Sequence, residues 1–344
     1  MYRINKFDDD AAKMAKERWN SIAKPLYGLG KFEKTIIDIA GISGTSEVDI
    51  SKRAVLVMCA DNGIVEEGVT QTGAEVTAVV TENFAKGKTS VCAMARTVGA
   101  EVFPVDVGVD ADIDGVKNCK IAYGTRNFLK EPAMSYAEAE KAVNIGIECV
   151  KELAKKRYKI IVTGEMGIGN TTTSAAVTAV ILKRGVAEVT GRGAGLSSEG
   201  LHRKIEVIKA AIEKHKPNPN DAIDVLSKVG GFDIAALAGV FIGGAIYRIP
   251  IVIDGVISSA AALCAEKIAP GCKDFMIASH SSKESAEELI LSALGKSAVI
   301  YADMCLGEGT GGVMLLPLLD AALSVYRDME TFEAVEIEEY EELV

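Results

Sequence analysis

The spacing of apolar and polar positions changes near residue 53. Before it the spacing is helical. Residues 8–23 place Ala11, Met14, Trp19 and Ile22 on one stripe behind an acidic start, which predicts an amphipathic helix. Residues 24–42 (KPLYGLGKFEKTIIDIAGI) read as a turn and a second helix, so residues 1–50 are expected to form an all-helical N-terminal element.

From Arg53 onward short Val- and Ile-rich runs alternate with glycine-rich or polar loops and helical stretches. Strands are predicted at 54–60 (AVLVMCA), 101–108 (EVFPVDVG), 158–164 (YKIIVTG), 249–255 (IPIVIDG), 274–279 (DFMIAS) and 297–302 (SAVIYA). Apolar runs of this kind, separated by helices, predict an α/β fold with a mainly parallel, Rossmann-like sheet flanked by helices. Ligands of such sheets bind beyond the carboxyl ends of the strands, so the loops there carry the candidate chemistry. The expected organisation is a helical element over 1–50, an α/β catalytic domain over 51–315, and a C-terminal helix with an acidic tail over 316–344. Part of that last helix, predicted from Leu315, is expected to join the N-terminal element in a small helical domain. The segment from Ala111 to Met134 shows no readable period.

Charge narrows the function. With 38 basic and 48 acidic residues the net charge is −10, and no basic run stands out, which disfavours nucleic acid and anionic membranes as partners. A phosphate would have to be held by loop amides, helix N-termini and isolated cations. The seven cysteines are scattered without a C-x-x-C pair, and most lie in apolar runs, as expected of reduced thiols in a cytoplasmic protein. Three scattered histidines supply no zinc ligand set, so no metal is expected. The N-terminal residues lack the apolar core of a secretory signal.

Three loops stand out. GEMGIGNTTTSAAV (164–177) runs from a strand through glycines into a Thr-rich helix start and matches the P-loop spacing, except that Asn170 stands where the phosphate-binding Lys would be. Triphosphate hydrolysis is thereby disfavoured, while a monophosphate could still be held by amides, helix dipole and hydroxyls; a plain glycine turn is the alternative. In TGRGAGLSSEGLHRK (190–204), Arg192 and Lys204 could supply cations, although a solvated helix face explains the cluster equally well. In LGEGTGG (306–312), glycines flank Glu308 and leave its carboxylate outside regular structure, suited to accepting a proton, or simply exposed in a turn.

Taken in order, CADNGIVEEGVTQTGAEVT (59–77), GEMGIGNTT (164–172), GRGAGL (191–196), VGGFDIAALAGV (229–240), VIDGVISSAAAL (252–263), ASHSS (278–282) and LGEGTGG (306–312) resemble the segments of the nicotinate-nucleotide:5,6-dimethylbenzimidazole phosphoribosyltransferase family. The resemblance implies transfer of phosphoribose from nicotinate mononucleotide to the lower base of a cobamide, giving the α-ribotide and nicotinate with inversion and without a cofactor. It implies Glu308 as general base and Glu165 as a second catalytic carboxylate, which could bond the ribose hydroxyls or assist proton transfer. Gly167, Ile168, Gly169, Asn170, Thr171, Gly193, Lys204, Gly255 and Ser281 would surround the nucleotide and its phosphate. Thr72, Val80, Leu306 and Gly307 would form the acceptor-base pocket. The family often has His where this chain has Asn62, and Gln where it has Val80, which makes the acceptor pocket more apolar. Some relatives in anaerobic bacteria work as pairs of homologous chains and accept phenols, so a phenolic base, and a homodimer or a heterodimer with a homologous chain, are implied alternatives. A non-catalytic partner subunit is the competing reading, and a bare nucleotide-binding module the blandest.

Overall fold

The computed structural model describes residues 2–284 and 286–340, so the end of the acidic tail lies outside the described residues. The first half of the chain runs α1 (Asp9–Ser21), α2 (Lys31–Ser43), β1 (Arg53–Ala60), α3 (Glu75–Ala85), α4 (Ser90–Thr97), β2 (Ala100–Gly108), β3 (Lys117–Asn118), α5 (Tyr136–Lys155) and β4 (Ile160–Met166). Then follow α6 (Asn170–Leu182), α7 (Val186–Val189), α8 (Ser198–His215), α9 (Ala222–Val229), α10 (Phe232–Tyr247), β5 (Ile251–Ile253) and α11 (Val256–Ile268). The chain closes with β6 (Met276–Ala278), β7 (His280–Ser281), α12 (Glu287–Ala293), β8 (Ile300–Tyr301) and α13 (Thr310–Asp328).

Six strands form one parallel sheet in the order β3-β2-β1-β4-β5-β6. Every residue of β1 is buried, as a central strand covered on both faces requires. The direction of winding reverses between β1 and β4, which opens a crevice beyond their carboxyl ends. Two expectations are corrected. The SAVIYA run adds nothing to the main sheet: Val299 N–H bonds Ser279 O at 3.0 Å, and β8 pairs with β7 in a separate two-stranded ribbon, because the chain leaving β6 offers its own free edge there. The sixth main strand is instead β3, from the segment without a readable period. That segment is held by tertiary bonds, such as Thr125 N–H to Asp61 O at 3.1 Å and the buried Lys120–Asp106 ion pair at 2.8 Å, which leave no periodic trace in sequence.

The helices begin where capping chemistry allows. Asp8 accepts the amide of Ala11 at the start of α1, and Ser135 with Glu138 forms a reciprocal capping box on α5. The buried face of α1 carries Ala11, Ala15 and Trp19, with Ile22 just beyond it. Met14, expected in that stripe, is 57% exposed, since the i, i+4 repeat from Ala11 through Ala15 to Trp19 turns it to solvent. Trp19 packs on Tyr326 of α13 with ring centroids 5.0 Å apart, and Arg18 donates to Tyr326 O at 3.1 Å. The two ends of the chain are thus joined, while α13 also packs against α2, α4 and β4. That helix starts at Thr310, earlier than the Leu315 expected, because Gly309 and its neighbours are capped from another strand as described below.

Apart from Asp233 in its first turn and Tyr247 at its end, α10 is apolar all round and almost wholly buried, lying on the sheet with α5 across it. The crossing is at backbone distance: a Cβ on Gly239 would sit 1.9 Å from Val143 O. Gly239→Ala is therefore expected to destabilise the fold by about 1–3 kcal/mol, the usual cost of overpacking, despite alanine's better helix propensity. Urea unfolding checks this, and an unchanged midpoint would show that the helices can separate freely. Among the described residues no helix is long and apolar enough to cross a membrane.

Candidate active site

The crevice between β1 and β4 holds a cavity of about 310 Å³. β4 ends in Glu165 and Met166, and the turn Gly167–Gly169 leads straight into α6, with Gly169 at φ 94°. Asn170 and Thr171 thus bring the N-terminus of α6 to the cavity, where the helix dipole favours an anion, although the amides of Asn170, Thr172 and Thr173 are taken by Gly167 O and Gly169 O. Glu165, Gly167, Ile168, Gly169, Asn170 and Thr171 all line it. Gly193, Gly255, Thr72, Val80, Leu306, Gly307 and Glu308 line it too. Loops distant in sequence are joined across it by Gln71 Nε2 to Gly195 O at 2.9 Å.

Two sequence-expected residues lie elsewhere. Lys204 is fully buried behind the lining, its Nζ 2.9 Å from Thr171 Oγ1 and 3.3 Å from Gly191 O. Burial holds its pKa down at about 8. Ser281 is not in the lining; its hydroxyl lies 3.4 Å from Glu288 Oε1, and Ser282 and His280 take the cavity positions on either side of it. Arg192 is exposed at the rim and spends its donors on Leu196 O at 2.7 Å and Ser198 Oγ at 3.1 Å.

Glu308 has a left-handed backbone, φ 62°, between two glycines that share that sign. Its loop reaches β4 only because residue 164 is glycine: a Cβ there would lie 2.3 Å from Glu308 O. The carboxylate rests on the N-terminus of α4, where Oε2 accepts the Val91 amide at 2.9 Å. Burial raises its pKa above the ordinary carboxylate range, against the opposing bonds from Val91, Ser90 and Thr89.

Sequence reasoning missed the acids that build this corner. Asp254, fully buried at the end of β5, accepts Gly309 N–H at 3.1 Å through Oδ2 and Gly312 N–H at 2.9 Å through Oδ1. It caps α13 where Gly309 has no side chain to do so, and so fixes the loop that carries Glu308. On the other side Asn170 donates its amide to both Glu165 and Asp233, the latter at 3.2 Å. Burial pushes Glu165, Asp233 and Asp254 each up to about 7. The available signal was position: an acid at the carboxyl end of a strand, as in VIDG, or directly after a Gly-Gly helix start, as in GGFD. Among the described residues, no group of His, Cys, Asp and Glu side chains is arranged to hold a metal ion.

Residues 4–337 match the family model described as phosphoribosyltransferase. A nicotinate-nucleotide--dimethylbenzimidazole phosphoribosyltransferase of Ruminiclostridium cellulolyticum is 47% identical over 99% of this chain and 97% of its own. The protein of the same name from Acetivibrio thermocellus is 48% identical over 95% of this chain and 94% of its own. The crystal structure of CobT from Thermus thermophilus superposes with a TM-score of 0.90 at 35% identity, covering 96% of this chain and 99% of that one. The chain belongs to the phosphoribosyltransferase family that contains these nicotinate-nucleotide and dimethylbenzimidazole enzymes.

Proposed function

We propose that this chain transfers phosphoribose from nicotinate mononucleotide to an aromatic lower base, releasing nicotinate and forming the α-ribotide, as the names of its relatives describe for them. The observation that carries the reading is one cavity lined by two unlike sets of groups. One set is the α6 N-terminus backed by buried Lys204, suited to a 5′-phosphate. The other is Val80, Met166 and Leu306 with the Glu308 carboxylate, suited to a flat apolar base with one acidic hydrogen.

In this reading Glu308 takes the N–H proton of an azole while its other nitrogen attacks C1′. The bond from C1′ to the nicotinate nitrogen breaks from the opposite face, and its electron pair leaves with the neutral pyridine nitrogen. Positive charge builds on the ribose as it does so, beside the Glu308 carboxylate in a cavity that Glu165 and Asp254 also line, and preorganised negative charge there favours that state above the pKa of about 7 that burial gives the latter two. Holding the two substrates on opposite faces of the sugar supplies much of the remaining acceleration. Glu165, tied by Asn170 to Asp233, is held rigidly and assists either the ribose hydroxyls or the proton. A phenolic acceptor would lose its hydroxyl proton to the same carboxylate.

The exposed apolar residues Met314 and Leu318 of α13, together with Leu306 beside the cavity, support a second copy or a homologous chain packed near the site. Free thiols suit the reducing cytoplasm. The reaction is tested by incubating the purified chain with nicotinate mononucleotide and dimethylbenzimidazole and assigning the ribotide's anomeric configuration by NMR. An α product is expected; a β product would contradict attack from the face opposite the leaving nicotinate.

Val80 sets an expectation for the acceptor. Val80→Gln gives the apolar wall a hydrogen-bonding group and is expected to favour dimethylbenzimidazole over phenol by about threefold to tenfold in kcat/KM, the worth of one hydrogen bond. Competition between the two acceptors measures it, and an unchanged ratio would remove Val80 from the base pocket.

A further inference from the structure

Away from the cleft, the edge of the main sheet carries reactive side chains that phosphoribosyl transfer does not use. β3 is only Lys117–Asn118, and Cys119 follows directly, its amide bonded to Asp106 O at 2.8 Å. Side chains two residues apart on extended backbone share a face, so Lys117 and Cys119 both turn toward α5. There Lys117 Nζ lies 3.7 Å from Cys149 Sγ and 2.6 Å from Glu152 Oε2. Cys119, two residues beyond Lys117 on the same face of this edge, is thereby carried to the side of α5 where Cys149 lies. Cys149 is buried and borders a separate cavity of about 240 Å³, whereas Cys119 is half-buried and reachable from solvent.

The arrangement divides the labour between the two sulfurs. The hydrogen bond from Cys149 holds the Cys119 thiol down at about 7, against the effect of burial, and the Lys117 ammonium adds to the shift. A partly exposed sulfur with thiolate character beside a resolving thiol is the arrangement found at peroxide-sensitive sites. The other cysteines lack it: Cys59, Cys92, Cys264 and Cys272 are buried, and Cys305 is exposed at the cleft.

We propose that Cys119 and Cys149 form a redox-modification site, which a hydroperoxide converts to a reversible disulfide stapling the β3 edge to α5. The Cys119 thiolate attacks one peroxide oxygen and the O–O bond breaks, giving a sulfenic acid and a hydroxide that becomes water with the proton Cys119 released. The Cys149 sulfur then attacks the Cys119 sulfur and expels hydroxide, which leaves as water with the Cys149 proton. Two thiols and one hydrogen peroxide give one disulfide and two waters, with two electrons passing from sulfur to peroxide.

The full chain, treated with hydrogen peroxide, alkylated and digested with trypsin without reductant, tests this. Cleavage after Lys117, Lys120, Lys141 and Lys151 isolates the two sulfurs in the peptides 118–120 and 142–151. The expected result is one linked species, two hydrogen atoms lighter than the pair, formed before any other cysteine is oxidised and released by dithiothreitol. Lys117→Gln should slow its formation severalfold, and Cys149→Ser should leave Cys119 as sulfenic acid or its over-oxidised products. Oxidation confined to Cys305, or Cys119 proceeding to sulfinic acid in the unmutated chain with no linked peptide, would overturn the proposal. The peptide map of the unmutated chain decides the matter even if a variant fails to fold.

Discussion

Glu308→Gln is expected to cut the rate of phosphoribosyl transfer by about 10²–10⁴-fold, the range for loss of a positioned general base, while the KM for nicotinate mononucleotide stays nearly constant. The substitution isolates proton acceptance because glutamine's carbonyl can still accept the Val91 amide, which keeps the loop on the α4 N-terminus. It also leaves Asp254 holding Gly309 and Gly312. Steady-state kinetics with each substrate varied separates the outcomes: a raised KM with unchanged kcat would make Glu308 a binding group only. The unmutated enzyme should show the same group in its pH profile. Burial raises the Glu308 pKa, so the carboxylate needed as base is lost as pH falls through a value above the ordinary carboxylate range. The acid limb of kcat/KM should lie correspondingly high, and the residual activity of Glu308→Gln should lose the Glu308 component and keep only what Glu165 and Asp254 impose near 7.

The second large effect is expected at Lys204, behind the cavity lining. Lys204→Met should raise the KM for nicotinate mononucleotide by about tenfold to a hundredfold, the worth of a charged hydrogen bond, and change kcat less. Methionine fills a similar buried volume, so the loss is one of charge and of the bond to Thr171. The lysine's depressed pKa of about 8 adds a sign to the test. As pH rises through that value in the free enzyme the ammonium is lost, so nucleotide affinity should weaken above it in the unmutated chain and not in the variant. A fall in kcat with KM unchanged would place Lys204 outside phosphate recognition.

Much of this fold could be read from sequence where burial imposes a pattern. β1 and the start of β4 are continuous apolar runs because a central parallel strand is covered on both faces, whereas β2 carries Glu101 and Asp106 and is buried only over its second half. Met14 misled because it is as apolar as its neighbours, and only the exact helical phase turns it outward. The edge strand β3 is too short, and SAVIYA too similar to a core strand, for local composition to tell which joins the main sheet; pairing geometry decides that. The glycine loops were legible because a close turn needs glycine, and they meet around one cavity. Asp233 and Asp254 were not, since a single buried acid looks like any surface acid until the chain folds and supplies the Asn170 amide or the α13 N-terminus that justifies its burial. Lys204 showed its charge but not its depth.

One chain is expected to join nucleotide cleavage to base capture. The most direct measurement is nicotinate release by the purified chain alone, given nicotinate mononucleotide with and without dimethylbenzimidazole or phenol. Release that requires an acceptor, matches the ribotide formed mole for mole and disappears in Glu308→Gln is the predicted result. No release with any acceptor from a correctly folded chain, or release without ribotide, would contradict it.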